Sequence, residues 1–274
     1  MKPHNLVPKK ARATRQQTEV AQVAAVASKS AVKAQAARKI RTSTPPARRI
    51  LVIDIGGTHV KFRANTSDEI RKFASGPELT PAQMCSQVLA LTRDWTYDVV
   101  SLGYPGPVLH GKPVLEPHNL ATGWVAFDFA GALERPVKVI NDAAMQALGS
   151  YQGGKLLFLG LGTGLGSAMV VDGIVEPLEL AHLPYRKHTY EDYVGLRGLE
   201  KHGKKKWREQ VTEVVGLLRA ALEPDDVVLG GGNAELMHDL PAGVRLGDNS
   251  NAFPGGFHLW DDEVNARPIP ASRP

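Results

Sequence analysis

The sequence has a single cysteine, Cys85, in 274 residues. One thiol can form neither an intramolecular disulfide nor a cysteine-based zinc cluster, and such cysteine usage fits a reducing compartment. Long apolar runs are also missing. The least polar stretch, residues 156–171, contains four glycines and is bounded by Lys155 and Asp172. It is too short and too interrupted for a membrane span, which needs about 18–20 apolar residues. The first fifty residues lack the apolar segment of a secretory signal, so a cytoplasmic protein with no membrane partner is expected. Two common phosphate-binding signatures are absent as well: no GxxxxGK[ST] occurs, and GLGTGLG (160–166) does not have the GxGxxG spacing.

Acids and aromatics are nearly missing from one end. Residues 1–49 hold 12 Lys and Arg against one acid, Glu19, a net of +11, while the remainder nets −6. The sequence pI near 9.3 therefore averages a basic tail and an acidic body. The tail's apolar residues are mostly Ala and Val, too small to bury much area. It is expected to be disordered or a fraying helix, closed by Thr44-Pro45-Pro46 as a stiff hinge. It reads as a solvated extension, a polyanion-binding arm or, with few acids and several Arg and Ser, a transit peptide.

From Ile50 the pattern changes. Residues 50–53 form an aliphatic, β-branched run of the kind that makes a buried strand; Asp54 ends it, Gly56-Gly57 turn the chain, and residues 58–64 return as a hairpin. Thr80, Pro81 and Gln83 spell a capping box at the start of a helix running to about Trp95. Strands are predicted over 98–102 and 137–140, and a helix from Asp142 to about Tyr151. The second half repeats the pattern: a strand over 156–161, a glycine turn, a return over 167–171, a helix over 206–222, and a strand over 226–229 ending in Gly230-Gly231-Gly232. Two related α/β lobes with a cleft between them follow, with boundaries at 1–49 (tail), 50–140, 141–262 and 263–274 (Pro-rich end).

Three glycine-bearing turns thus follow apolar strands: Gly56-Gly57-Thr58, Gly162-Thr163-Gly164 and Gly230-Gly231-Gly232. Glycine lets backbone approach a ligand and exposes N–H groups to phosphate oxygens; a tight hairpin or a helix start is the structural alternative for each.

DIGGTHVK (54–61), GYPGPV (103–108), VINDAAMQA (139–147), LGTGLGSA (161–168), ELAH (179–182) and VVLGGGNAEL (227–236) occur in the order found in ROK-group sugar kinases. The chain resembles that family over nearly all of residues 50–248, and within it the polyphosphate glucokinase branch. The resemblance implies the actin/hexokinase-like ATPase fold, two RNase H-like lobes with donor and sugar meeting in the cleft. It makes Asp54 the aspartate that holds the donor's Mg²⁺. Gly56, Gly57 and Thr58, with Lys61 nearby, match the first phosphate turn, and Gly162, Thr163 and Gly164 the second. Gly230, Gly231 and Gly232 match the distal donor segment. Asp142 matches the catalytic base, able also to hold the sugar; Asn119, Asn141, Glu179 and His182 match positions that hold sugar hydroxyls. Phosphoryl transfer needs positioning and charge neutralisation, and these residue types supply both. Capping of the helix it precedes is the structural alternative for Asp142.

The chain departs from the family in three places. The zinc-binding cysteines of many ROK kinases cannot exist here, so no zinc is expected. ELAH has Ala181 where the family has glycine, and NSNAFPGGFHLW (249–260) replaces the usual closing strand and glycine-containing helix, so that region is expected to be remodelled. A second basic cluster, Lys201, Lys204, Lys205, Lys206 and Arg208, reads as a solvated helix start or as a track for a long phosphate chain. The expectation is a kinase passing a phosphoryl group from polyphosphate, ATP or both to the primary hydroxyl of glucose or a similar hexose; a homodimer is compatible with it. The alternative is a non-catalytic, sugar-responsive regulator of the same family with a polyanion-binding tail.

Overall fold

Aliphatic residues with no polar interruption set the centre of the first sheet. In this computed structural model, which describes residues 48–261, β1 (Ile50–Ile55) is buried at all six positions. It pairs antiparallel with β2 (His59–Ala64), which pairs with β3 (Arg71–Ala74). The capping box is present at α1 (Pro81–Leu91): Thr80 Oγ1 accepts from the Gln83 N–H, and the Gln83 side chain accepts from the Thr80 N–H. The helix stops at Leu91, short of Trp95. β4 (Val99–Tyr104) lies parallel to β1, the hairpin β5 (Val108–Leu109) and β6 (Lys112–Pro113) follows, and α2 (Phe129–Leu133) leads to β7 (Val137–Asn141), parallel to β4. The sheet order is β3-β2-β1-β4-β7.

The second half begins with α3 (Asp142–Ser150) and repeats the plan. β8 (Lys155–Leu161), β9 (Leu165–Val171) and β10 (Ile174–Leu178) form an antiparallel meander. The small hairpin β11 (Pro184–Tyr185) and β12 (His188–Thr189), then α4 (Tyr190–Val194) and α5 (Leu196–Leu222), precede β13 (Asp226–Gly230) and β14 (Val244–Leu246), both parallel to β8. The order is β10-β9-β8-β13-β14, the first sheet's order again, as the internal echo predicts. α5 begins ten residues before the predicted 206 because two helices run together across Gly203, whose φ of 73° breaks the helical path.

Alternation assigns the faces, since successive strand residues point to opposite sides. Leu51, Ile53 and Ile55 pack with α1 and α2 in one core, and Leu157, Leu159 and Leu161 pack with α4 and α5 in another. Ile50 and Val52 from the first sheet, with Leu156 and Phe158 from the second, share a third core with α3 and α6 (Ala252–His258). The layers are therefore helices, sheet, helices, sheet, helices, with α3 and α6 between the sheets.

The expected remodelling of 249–260 is not found. The segment supplies a 3₁₀ turn (Asn249–Asn251) and α6, the closing glycine-containing helix, while β14 supplies the strand. Glycine is required there: a Cβ at Gly255 would lie 1.8 Å from the Met145 carbonyl oxygen, and one at Gly149 1.8 Å from that of Asn251. α3 and α6 cross backbone to backbone. Ser101, buried on β4, donates to the Gly256 carbonyl at 2.5 Å and accepts from Trp260 Nε1 at 2.9 Å, fastening α6 to the first sheet.

Among the described residues no helix is long and apolar enough to cross a membrane. The expectations for the tail up to residue 47, its hinge and the Pro-rich end lie outside the described residues.

Candidate active site

The inner face of the first sheet ends in a carboxylate. Asp54 follows Ile50 and Val52 on the side facing α3 and is 8% exposed. Its register partners are Lys61 on β2 and Gly103 on β4. Gly103 has no room for a side chain: a Cβ would sit 2.3 Å from the Met145 methyl and 3.6 Å from Asp54 Oδ1. Among the described residues the Asp54 carboxylate accepts no hydrogen bond. Burial pushes its pKa up to about 6, with Lys61 pulling the other way.

Asp142 enters the same space from α3. It directly follows β7, so the strand's end and the helix's start together fix its position. Helix capping falls to its neighbour: Asn141 Oδ1 accepts from the Ala144 N–H at 3.1 Å, while Asn141 Nδ2 donates to the Gly106 carbonyl at 3.1 Å. Each functional atom of Asn141 thus has a structural partner, and the side chain ties α3 to the GYPGPV turn. Asp142 Oδ1 accepts from its adjacent Ala143 N–H at 2.8 Å. Its pKa is pushed up to about 7, by burial first and then by the charge of Asp54, with backbone N–H groups opposing and Glu179 adding to the rise. Two carboxylates whose pKa values are raised by burial, one also by the other's charge, are a common feature of catalytic sites.

The first glycine turn is drawn tight. The Gly56 N–H donates to the His59 carbonyl at 3.0 Å and the Ser75 hydroxyl to the Gly56 carbonyl at 2.7 Å, leaving Gly57 and Thr58 exposed. A Cβ at Gly57 would meet Asn119 Nδ2 at 3.5 Å, so the turn and the Asn119 loop lie side by side. That loop is closed by a residue the sequence reading missed. Glu116 accepts from the Trp124 N–H (3.0 Å) and the Val125 N–H (3.2 Å), while the buried Tyr104 hydroxyl donates to the Leu115 carbonyl at 2.8 Å.

The second and third glycine turns meet each other. Asn233 Nδ2 donates to the Gly162 carbonyl at 3.2 Å and the Asn233 N–H to that of Leu161 at 2.9 Å. Gly231, with φ of 82° and no room for a Cβ beside Leu161 backbone atoms, makes the bend. Gly162 and Gly232 face open space, whereas Gly230 is packed under the Phe158 ring. Of the 230–232 run, Gly230 packs on Phe158, Gly231 packs on Leu161 and Gly232 faces open space. The carbonyls of Gly162 and Thr163 accept from the Leu196 N–H, both at 3.1 Å, which seats this turn on the start of α5.

Glu179 and His182 flank the 3₁₀ turn Leu180–His182. His182 Nε2 is 3.9 Å from Glu179 Oε2, and Nδ1 is 3.8 Å from Glu191 Oε1. Glu191, at the start of α4, went unnoticed in the sequence because no motif surrounds it; its Oε2 stands 2.8 Å from where a Gly164 Cβ would be. Burial raises the Glu179 pKa, with His182 opposing. Ala181 packs into the second core, so its methyl group occupies the interior. Among the described residues no group of three or more His, Cys, Asp or Glu is arranged to hold a metal ion. A single buried carboxylate with no hydrogen-bond donor of its own, as at Asp54, fits a Mg²⁺ that keeps most of its waters and shares a donor's phosphates.

No family model matches the chain. Over 203 residues, 66% of this chain and 76% of the relative, it is 29% identical to the polyphosphate glucokinase of Mycobacterium tuberculosis (strain CDC 1551 / Oshkosh). Its homologues and structural neighbours are ROK-family sugar kinases. The inorganic polyphosphate/ATP-glucomannokinase from Arthrobacter sp. strain KM matches with a TM-score of 0.67 at 24% identity, over 80% of this chain and 98% of that one. The ROK family glucokinase from Streptomyces griseus, solved with glucose and AMPPNP, matches with a TM-score of 0.60 at 16% identity, over 77% and 98%. At these identities the structural likeness is one of fold, and the ROK fold is the one the six motifs imply.

Proposed function

We propose that the protein is a hexokinase-type phosphotransferase that moves a phosphoryl group from polyphosphate or ATP to the primary hydroxyl of glucose or a similar hexose, in the cytoplasm. The observation that carries this reading is Asp142: a half-buried carboxylate at the junction of the lobes, not needed as the helix cap and titrating near neutrality.

In this reading Asn119, Glu179 and His182, with Glu191 behind the histidine, hold the sugar's hydroxyls, and Asn141 fixes the turn beside them. Amides and carboxylates provide the paired donors and acceptors that distinguish one hydroxyl position from another. The primary hydroxyl lies against Asp142, which takes its proton as the oxygen attacks the donor's terminal phosphorus. The bond from that phosphorus to the rest of the donor breaks, releasing ADP or a polyphosphate one unit shorter. A pKa of about 7 suits the task, since a base near the working pH is both ionised and basic enough. Backbone N–H groups of the Gly57-Thr58 and Thr163-Gly164 turns, with Lys61, steady the charge on the transferring phosphate. Asp54 would hold Mg²⁺ on the donor, and the metal supplies charge neutralisation.

The direct test is the full chain with Mg²⁺ and either glucose or mannose, supplied with either ATP or polyphosphate. Sugar phosphate is expected in at least one of the four mixtures. Its absence from all four overturns the kinase reading.

A further inference from the structure

The cation cluster on α5 is left over by that mechanism. Two of its members have structural partners: Lys206 Nζ is 3.2 Å from Glu209 Oε2, and Arg208 Nε donates to the Leu236 carbonyl at 2.6 Å. Lys201, Lys204 and Lys205 are exposed and make no ion pair among the described residues. Three unpaired ammonium groups within five residues repel one another, on a body whose net charge is otherwise negative.

Their position follows from the two ends of the segment. α5 begins where the Leu196 N–H meets the carbonyls of the second glycine turn. Arg208 touches Leu236, which ends the 3₁₀ turn Ala234–Leu236 just after the third glycine turn. At about 1.5 Å per residue the helix between these two anchors spans under about 20 Å. Lys204 and Lys205 stand four and three residues before Arg208, so they share its helix face one turn nearer the start. Lys201 stands across the Gly203 kink. The lysines therefore stand on the stretch of helix that joins the second glycine turn to the end of the third. A nucleoside beyond the phosphates would be held by apolar or aromatic walls; a row of free ammonium groups suits a ligand whose negative charge repeats along its length.

We propose that the donor groove continues past the glycine turns onto this face of α5, where Lys204, Lys205 and Lys201 hold successive phosphates of an inorganic polyphosphate chain. The inference rests on the kinase reading above and extends its donor site.

The test compares the full chain with its Lys204→Gln/Lys205→Gln double variant, using tripolyphosphate and a long polyphosphate as donors. In the unaltered protein KM per chain should fall as the donor lengthens, because only a long chain reaches the lysines. In the double variant the long-chain KM should rise about tenfold, and its dependence on log[salt] should flatten by about 0.7 per lysine removed, while the tripolyphosphate KM moves less than threefold. Lys112→Gln, which removes an exposed cation from β6, should leave the length dependence intact. A length dependence preserved in the double variant, or absent from the unaltered protein, overturns the proposal. Should no donor give sugar phosphate, the kinase reading fails, and equilibrium binding of long polyphosphate to the two proteins still decides this one: equal affinities overturn it, and weaker binding by the variant supports it.

Discussion

The two sheets share one strand order, and the same inner-face position can be compared in each. In the first it is Asp54, paired in register with Lys61 and Gly103; in the second it is Gly160, paired with Gly166 and Gly230. An acid, a base and a glycine in one lobe are thus three glycines in the other. The glycines have a packing reason. A Cβ at Gly166 would lie 2.9 Å from the Ala143 methyl, and one at Gly230 2.5 Å from the Phe158 ring. The second sheet keeps its inner edge bare so that the start of α3, with Asp142 as its first residue, can lie against it. The first lobe supplies charge, the second supplies clearance, and Asp142 stands between them. A repeated fold need not repeat its chemistry.

The largest break in that arrangement should come from the residue between the lobes. Asp142→Asn is expected to lower kcat by roughly 10²–10⁴-fold as a lost general base, read by steady-state assay of whichever donor is used. A variant that keeps full rate would remove Asp142 from the role.

Next, the bare lobe can be filled. Gly166→Val pushes a side chain onto Ala143 and should cost about 1–3 kcal/mol by overpacking, measured as a lowered urea midpoint. Lys61→Met, at the equivalent place in the charged lobe, should leave the midpoint nearly unmoved and instead raise the Asp54 pKa, because Lys61 is the group opposing its rise.

Glu116→Ala unlatches the loop carrying Asn119 beside the first turn. About tenfold higher KM for the sugar is expected, from losing two charge-assisted hydrogen bonds, with the donor KM unmoved. Equal shifts in both constants would mean that the latch does more than place Asn119.

The smallest effects are those of pH. With Asp142 near 7, kcat/KM should fall as pH drops below about 7, since the base must be ionised. Stability should run the other way. The native-state pKa lies above the unfolded value near 3.9, so the folded protein holds this proton over a window where the unfolded chain has lost it. The stabilisation is complete below about pH 4 and lost as pH rises through about 7. Asp142→Asn should accordingly melt a few degrees above the unaltered protein at pH 8, with the difference closing toward pH 4. No such gap at pH 8 would argue against a raised pKa.

Several of these features are legible in the chain. The run at 50–53, the Thr80–Gln83 box and the three glycine turns depend on neighbours within four residues, and each appears where the sequence puts it. What escaped depends on distant partners. Glu116 and Glu191 have no motif around them and gain meaning only from Trp124, Val125 and His182. The start of α5 was misplaced because Gly203 resembles a helix stop, yet the chain resumes its helix beyond the kink. The closing helix was missed because Pro254 and two glycines look like a loop. Proline is tolerated in a first helical turn, and the glycines answer to α3 and Val52.

By itself the sequence determined the periodicities, the turns and the two-lobe plan, all consequences of local backbone preference and of which residues avoid water. Tertiary structure alone decided that Asp54 and Asp142 share one poorly hydrated space and so titrate near neutrality. A pKa shift of that kind is produced by burial and by a neighbour's charge, and neither exists until the two sheets close on α3.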